Sequence, residues 1–371
     1  MQWDVIVVGA GGIGSQAMLA LADRGLRVLG LDRFAPPHGR GSSHGDTRII
    51  RLAYMEHPDY VPLLRRAYAG WAALEARAGV RLFERRGLLQ VGPPGGAVLS
   101  GVRTAAAIHG LEVEALDARA IHARTHGRFV VPEAWSGLLE HDAGFVWVER
   151  GVEVALQLAA RAGATLETGV EVRAIRADGD GVVVDTADGP RRAARVVVAP
   201  GAWAPELLGA LGVPFEVRRK VLLWYDVPPD DGPAWLFDTP SGVFYGFPSL
   251  EGSGLKAAEH SGGAHVDDPL TVDRALHPAD HAGVEAFLAA HLPAARGAAR
   301  TRHAVCLYTM TPDAHFVVDH HPTIPNVVVV AGLSGHGYKF APALGAIAAE
   351  LAVDGGTTSP IAFLRRTRFA G

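Results

Sequence analysis

The chain has one cysteine, Cys306, among 371 residues, so it cannot close an intramolecular disulfide. Lysine is nearly as scarce. Lys220, Lys256 and Lys339 are the three present, which leaves 32 of the 35 basic residues as arginine. A sequence that uses arginine by default keeps lysine either by chance or where a compact ammonium is needed, which singles out Lys256 and Lys339 for attention. Net charge is also small, −4, which argues against a nucleic-acid partner. No apolar run reaches membrane-spanning length. Met1 to Trp3 leads straight into an apolar strand, which leaves no room for a signal peptide, and the expectation is a cytoplasmic protein with no membrane partner. With 49% hydrophobic and 20% charged residues, a chain of this length suits a soluble globular protein of two domains.

The strongest local pattern lies between Trp3 and Asp32. Val5, Ile6, Val7 and Val8 are too short a run for a helix and are rich in β-branched residues, as expected of a parallel strand buried on both faces. The turn Gly9-Ala10-Gly11-Gly12-Ile13-Gly14 follows, then a helix through Leu19 and Leu21, then a strand from Val28 to Leu31 that ends in Asp32. Gly9 permits the tight turn, Gly11 lets backbone approach a pyrophosphate, and Gly14 lets helix and strand pack closely. The helix N-terminus offers N–H groups to phosphates and Asp32 can accept from a ribose hydroxyl. Strand, turn, helix, strand and acid in that order predict a dinucleotide site, and by themselves leave NAD and FAD both open.

Further along, Arg33 to Asp46 is too rich in proline, glycine and serine for regular structure and reads as a loop beside the cofactor. In Thr47-Arg48-Ile49-Ile50-Arg51 a helical spacing would turn Arg48 and Arg51 to one anionic group, the alternative being a solvated basic surface. Val196-Val197-Val198-Ala199-Pro200-Gly201 and Val327 to Gly332 each repeat the opening theme, an apolar strand running into a glycine turn. Strands predominate from Pro214 to Asp319, as in an antiparallel sheet. The expected fold is therefore α/β, with a discontinuous Rossmann-like cofactor domain (1–85, 148–212 and 321–371) and a mainly antiparallel substrate domain with helices (86–147 and 213–320). Interleaving of this kind is less common among simple NAD-dependent dehydrogenases and favours FAD. Asp319-His320-His321 reads poorly as a metal site, because adjacent strand residues face opposite ways, and no metal is expected.

Gly41-Ser42-Ser43-His44-Gly45-Asp46-Thr47-Arg48-Ile49-Ile50-Arg51, Tyr245-Gly246-Phe247-Pro248-Ser249, Gly254-Leu255-Lys256, Cys306-Leu307-Tyr308 and Ser334-Gly335-His336-Gly337-Tyr338-Lys339-Phe340 together resemble the monomeric sarcosine oxidase and N-methyltryptophan oxidase family, in order and over nearly the whole chain. The resemblance implies oxidation of the C–N bond of a small secondary amino acid, with O2 as acceptor, by a monomeric enzyme. It implies FAD held by a thioether from Cys306 to the 8α-methyl group, with Tyr308 two residues on in the same cavity. It places FAD against Gly9, Gly11, Ile13, Gly14, Asp32 and Arg33, against Gly41, Ser42, Ser43, Thr47 and Arg48, against Val172, Gly201 and Trp203, and against Leu333, Gly335, His336, Gly337 and Lys339. It implies that Arg51 and Lys339 clamp the substrate carboxylate, that Tyr308, His336 and Gly335 border the substrate, and that Tyr245 and His260 stand at the reacting amine. Lys256 is implied in oxygen activation and Arg48 in the electrostatics of the flavin ring. Glu259, Leu307 and the loop Tyr54-Met55-Glu56-His57-Pro58-Asp59 depart from the close relatives and leave pocket size open. The alternatives are an oxidase of N-methyltryptophan or of a cyclic secondary amino acid such as pipecolate or proline, a flavin dehydrogenase feeding a carrier, a nicotinamide-dependent reductase, and a non-enzymatic flavin-binding protein.

Overall fold

The computed structural model describes residues 3–369; Met1 and Gln2, read above as the lead-in to the first strand, lie outside the described residues, as do Ala370 and Gly371. Two large sheets organise the chain. The first has eight strands, and its centre is Trp3–Val8, paired in parallel with Val28–Asp32 on one side and with the end of Gly189–Val198 on the other. Val327–Ala331 extends the parallel set beyond Val196–Val198. The central strands are apolar runs because helices cover one face, Gly12–Ala22 lying between Val148–Arg161 and Ala341–Asp354. Pro342 sits in the first turn of the last helix, where its missing N–H leaves no hydrogen bond unmade, and Gly355 closes that helix in the left-handed conformation.

The second sheet has nine strands and is antiparallel except where Ala234–Thr239 runs parallel to Leu88–Gly92. Its longest pairing joins Glu216–Tyr225 to Arg300–Met310, the strand that carries Cys306. A small third sheet, Thr47–Ile50 with Gly144–Trp147 and Phe83–Glu84, completes the strand set. The helical spacing expected for Arg48 and Arg51 is therefore incorrect. Thr47, Ile49 and Ile50 are β-branched, and the partner strand, nearly a hundred residues away in sequence, decides their conformation. Val317–His320 differs from expectation as well. Placed by sequence before the boundary at 320, it pairs with Val327–Ala331 in the first sheet. Among the described residues no helix is long and apolar enough to cross a membrane, and no His, Cys, Asp and Glu cluster could hold a metal ion.

Gly14 carries the close helix-to-strand approach: a Cβ there would fall 1.7 Å from the Gly9 carbonyl oxygen. Gly14→Ala is expected to destabilise the fold by about 1–3 kcal/mol and to lower the flavin retained through purification; an unchanged melting temperature and flavin content would refute this packing role.

Candidate active site

One elongated cavity of about 1800 Å3, its open mouth included, runs from the C-terminal ends of the parallel strands to the face of the second sheet. At the nucleotide end it is lined by Gly9, Gly11, Ile13, Asp32, Arg33, Gly41, Ser42, Ser43, Val172, Gly201 and Trp203. Asp32 also braces the turn, accepting from the Ala10 and Phe34 N–H groups at 2.8 Å each. The Ser43 hydroxyl accepts from the Gly12 N–H at 2.9 Å. Gly14 is absent from the wall, since its side faces the strand.

At the middle of the cavity the Gly41–Asp46 loop is tied to the cysteine strand. The Leu307 N–H donates to the Gly41 carbonyl at 3.3 Å, and the Ser42 hydroxyl donates to the Leu307 carbonyl. Arg48 donates to the Ser42 carbonyl at 2.9 Å and comes within 3.5 Å of Cys306 Sγ. Cys306 and Tyr308 both line the cavity, as same-side residues of one strand should. Leu307 points its side chain into the buried cluster of Ala202, Val217 and Val266, and Glu259 accepts from the Ser261 hydroxyl at 2.7 Å without lining the cavity.

The far end gathers Arg51, Glu56, Tyr245, His260, Tyr308, Gly335, His336 and Lys339. Arg51, 3% exposed, donates to both carboxylate oxygens of Glu56 at 2.8 Å, while its Nε has no hydrogen-bond partner among the described residues. Lys339 donates to the His336 carbonyl at 2.6 Å and to the Tyr54 hydroxyl at 3.3 Å. Burial would raise the Glu56 carboxyl, but Arg51, His336, Lys339 and His260 outweigh it and hold the group at about 2. Burial drives the imidazoles down, His260 to about 4 and His336 to about 3, so both are neutral at physiological pH. Burial, with Arg51 beside it, also pushes the Lys339 ammonium well below its ordinary value.

Two implied site residues stand behind the wall. Lys256, 2% exposed, donates to the carbonyls of Gly45 and, at 2.7 Å, Thr47, and Thr47 itself turns inward to receive it. Burial first, and the charge of Arg48 second, push this ammonium well below its ordinary value.

Residues 4–351 match the family model described as FAD dependent oxidoreductase. The chain belongs to that family. It is 39% identical to the monomeric sarcosine oxidase of Bacillus sp. (strain NS-129), covering 99% of this chain and 97% of that protein. It is 38% identical to the N-methyl-L-tryptophan oxidase of Citrobacter koseri, over 95% of each. Among solved structures it is similar to NikD, described as an unusual amino acid oxidase essential for nikkomycin biosynthesis, with a TM-score of 0.85 and 29% identity over 98% of this chain and 97% of that one.

The nucleotide end fits the FAD of this family. Arg33 Nη1 and Trp203 Nε1 are buried donors in its wall without a partner among the described residues, and a polar ligand would satisfy both. The glycine cradle keeps Cβ atoms away from the same stretch. Sequence reading missed Glu56 as a site residue and noted it only as part of a divergent loop. The available signal was an acid five positions beyond a candidate anion-binding arginine. Met55 and Leu236, also in the wall, carried no polar signal at all.

Glu56→Gln leaves Arg51 without its counter-charge. The variant should melt below the parent, by about 3–5 kcal/mol at most, and a small carboxylate should raise its melting temperature more than it raises the parent's. Equal shifts in a thermal titration with acetate would show that Glu56 does not hold the place of a ligand carboxylate.

Proposed function

We propose that the protein is an FAD-dependent oxidase of N-methyl amino acids, with sarcosine as substrate: sarcosine, O2 and H2O give glycine, formaldehyde and H2O2. The observation that carries this reading is the pairing of Arg51 with a side-chain carboxylate, with Lys339 on the same wall, at the far end of a cavity whose other end is a dinucleotide cradle. An amino-acid carboxylate taking the place of Glu56 would gain the planar fork of Arg51, including its free Nε, and the point charge of Lys339. His336 and Gly335 close that end, and the Gly335 backbone packs against the Tyr308 ring.

Neutral His260, its Nδ1 3.4 Å from the Tyr308 hydroxyl, would orient the substrate amine without adding a charge that repels it; Tyr245 stands on the same wall. Bound FAD supplies the two-electron acceptor and the route from substrate to dioxygen. Arg48 lines the middle of the cavity and Lys256 stands behind it, so positive charge lies close to where reduction of dioxygen develops negative charge. We assign Cys306 as the attachment point of FAD: its sulfur lines the cavity 3.5 Å from the Arg48 guanidinium, on the strand tied to the nucleotide loop. The same reading makes the enzyme a cytoplasmic monomer.

A peroxide assay in air across sarcosine, N-methyltryptophan, pipecolate and proline tests the activity. The highest kcat/KM is expected with sarcosine; a higher value for another substrate reassigns specificity, and electron delivery only to an artificial carrier makes the protein a dehydrogenase. Acid precipitation tests the linkage separately. The yellow colour should stay with the parent protein and leave Cys306→Ala, and parent flavin found entirely in the supernatant would exclude the thioether.

A further inference from the structure

Lys220 is the one lysine to which the chemistry above gives no task. It lies on Glu216–Tyr225 directly opposite Cys306, and it is 5% exposed. Its ammonium donates to the Ser261 carbonyl at 2.5 Å and to the Gly262 carbonyl at 3.3 Å. It also stands 5.6 Å from the centroid of the Tyr308 ring. Ser261 is the residue after His260, and its hydroxyl accepts from the Val243 N–H at 3.1 Å, so the turn is held from both sides. Gly335 also packs against the Tyr308 ring: a Cβ there would fall 2.2 Å from it. The ring thus has both the Gly335 backbone and the Lys220 ammonium against it. A compact cation can meet two carbonyls and a ring together, whereas a guanidinium fork imposes its own plane.

We propose that Lys220 is a positioning residue of the substrate pocket, whose single buried ammonium ties the turn after His260 to the Tyr308 ring and so sets the separation of His260, at the substrate amine, from Tyr308, which borders the substrate. The proposal rests on the function assigned above. Burial lowers Lys220 to about 8, with Glu259 and Cys306 opposing and Arg218 adding to the shift. His260 is faced by Glu56, which favours its protonation, and by Lys220, Arg51 and Lys339, which oppose it, with the neutral hydroxyl of Tyr308 and the ring of Tyr245 beside it. Loss of Lys220 therefore changes both the place and the proton affinity of the imidazole.

The test uses holoenzyme of the parent, Lys220→Met and Lys220→Arg, with Lys220→Gln in place of the methionine variant if that one does not fold. Anaerobic stopped-flow should give a limiting rate of flavin reduction by sarcosine at least about tenfold lower in Lys220→Met, at unchanged flavin content. Nitrogen-15 spectra of His260 between pH 8 and 5 should stay neutral in the parent and show protonation beginning toward pH 5 in Lys220→Met. Lys220→Arg should restore the spectra and not the rate. A reduction rate within twofold of the parent together with an unchanged His260 titration overturns the proposal. Failure of sarcosine and every other N-methyl amino acid to reduce the parent would remove the assigned function and leave the histidine spectra to decide on Lys220.

Discussion

Buried positive charge governs this molecule. Arg51, Lys220, Lys256 and Lys339 are each at most 5% exposed; Arg51 and Lys339 line the cavity together with Arg48, while Lys220 and Lys256 stand behind its wall. Removing such groups from water is costly unless each finds a partner, and the chain meets that demand mostly with backbone carbonyls: Gly45 and Thr47 for Lys256, Ser261 and Gly262 for Lys220, His336 for Lys339, Ser42 for Arg48. Arg51 differs in taking a side-chain carboxylate, Glu56. Carbonyls satisfy hydrogen bonds without supplying a counter-charge, so Arg48 and Lys339 meet the cavity with no carboxylate bonded to them.

That arrangement depends on how the two sheets are joined. The strand Thr47–Ile50 leaves the nucleotide loop, pairs with Gly144–Trp147, and delivers Arg48 and Arg51 to neighbouring parts of one wall. The Gly41–Ser42 backbone is bonded to Leu307, so the loop beside the cofactor moves with the strand that carries Cys306. Two hydrogen bonds therefore fix the nucleotide loop against the strand of the cysteine.

The nucleotide end was legible in sequence because each of its parts is local: strand, glycine turn, helix and acid lie within thirty residues, and each residue type has a steric reason. The wall around Cys306 was legible through resemblance, as short motifs spaced along the chain. What escaped was whatever depended on a partner remote in sequence. Arg48 and Arg51 reached the cavity as expected, although on a strand, because pairing with residue 144 and its neighbours overrides a helical spacing. Lys256 and Thr47 were expected in the wall and instead face each other behind it, since an ammonium beside two carbonyls is better satisfied than one facing Arg48. Glu56 was visible only as a loop difference, and its pairing with Arg51 needed the folded backbone.

The parallel sheet draws its strands from the beginning, the middle and the end of the chain, and Val327–Ala331 pairs with Val196–Val198 beside the central strand. During synthesis on the ribosome the amino-terminal strand and glycine turn emerge long before the strand that completes their sheet. Pairings of such sequence separation close late and slowly. A nascent or truncated chain that stops short of Val327 holds the fingerprint but lacks the Leu333 to Lys339 wall, so it cannot enclose the cofactor it is equipped to recognise. Such a chain would also leave the apolar Val196–Val198 edge of the sheet unpaired, a template for association with other chains.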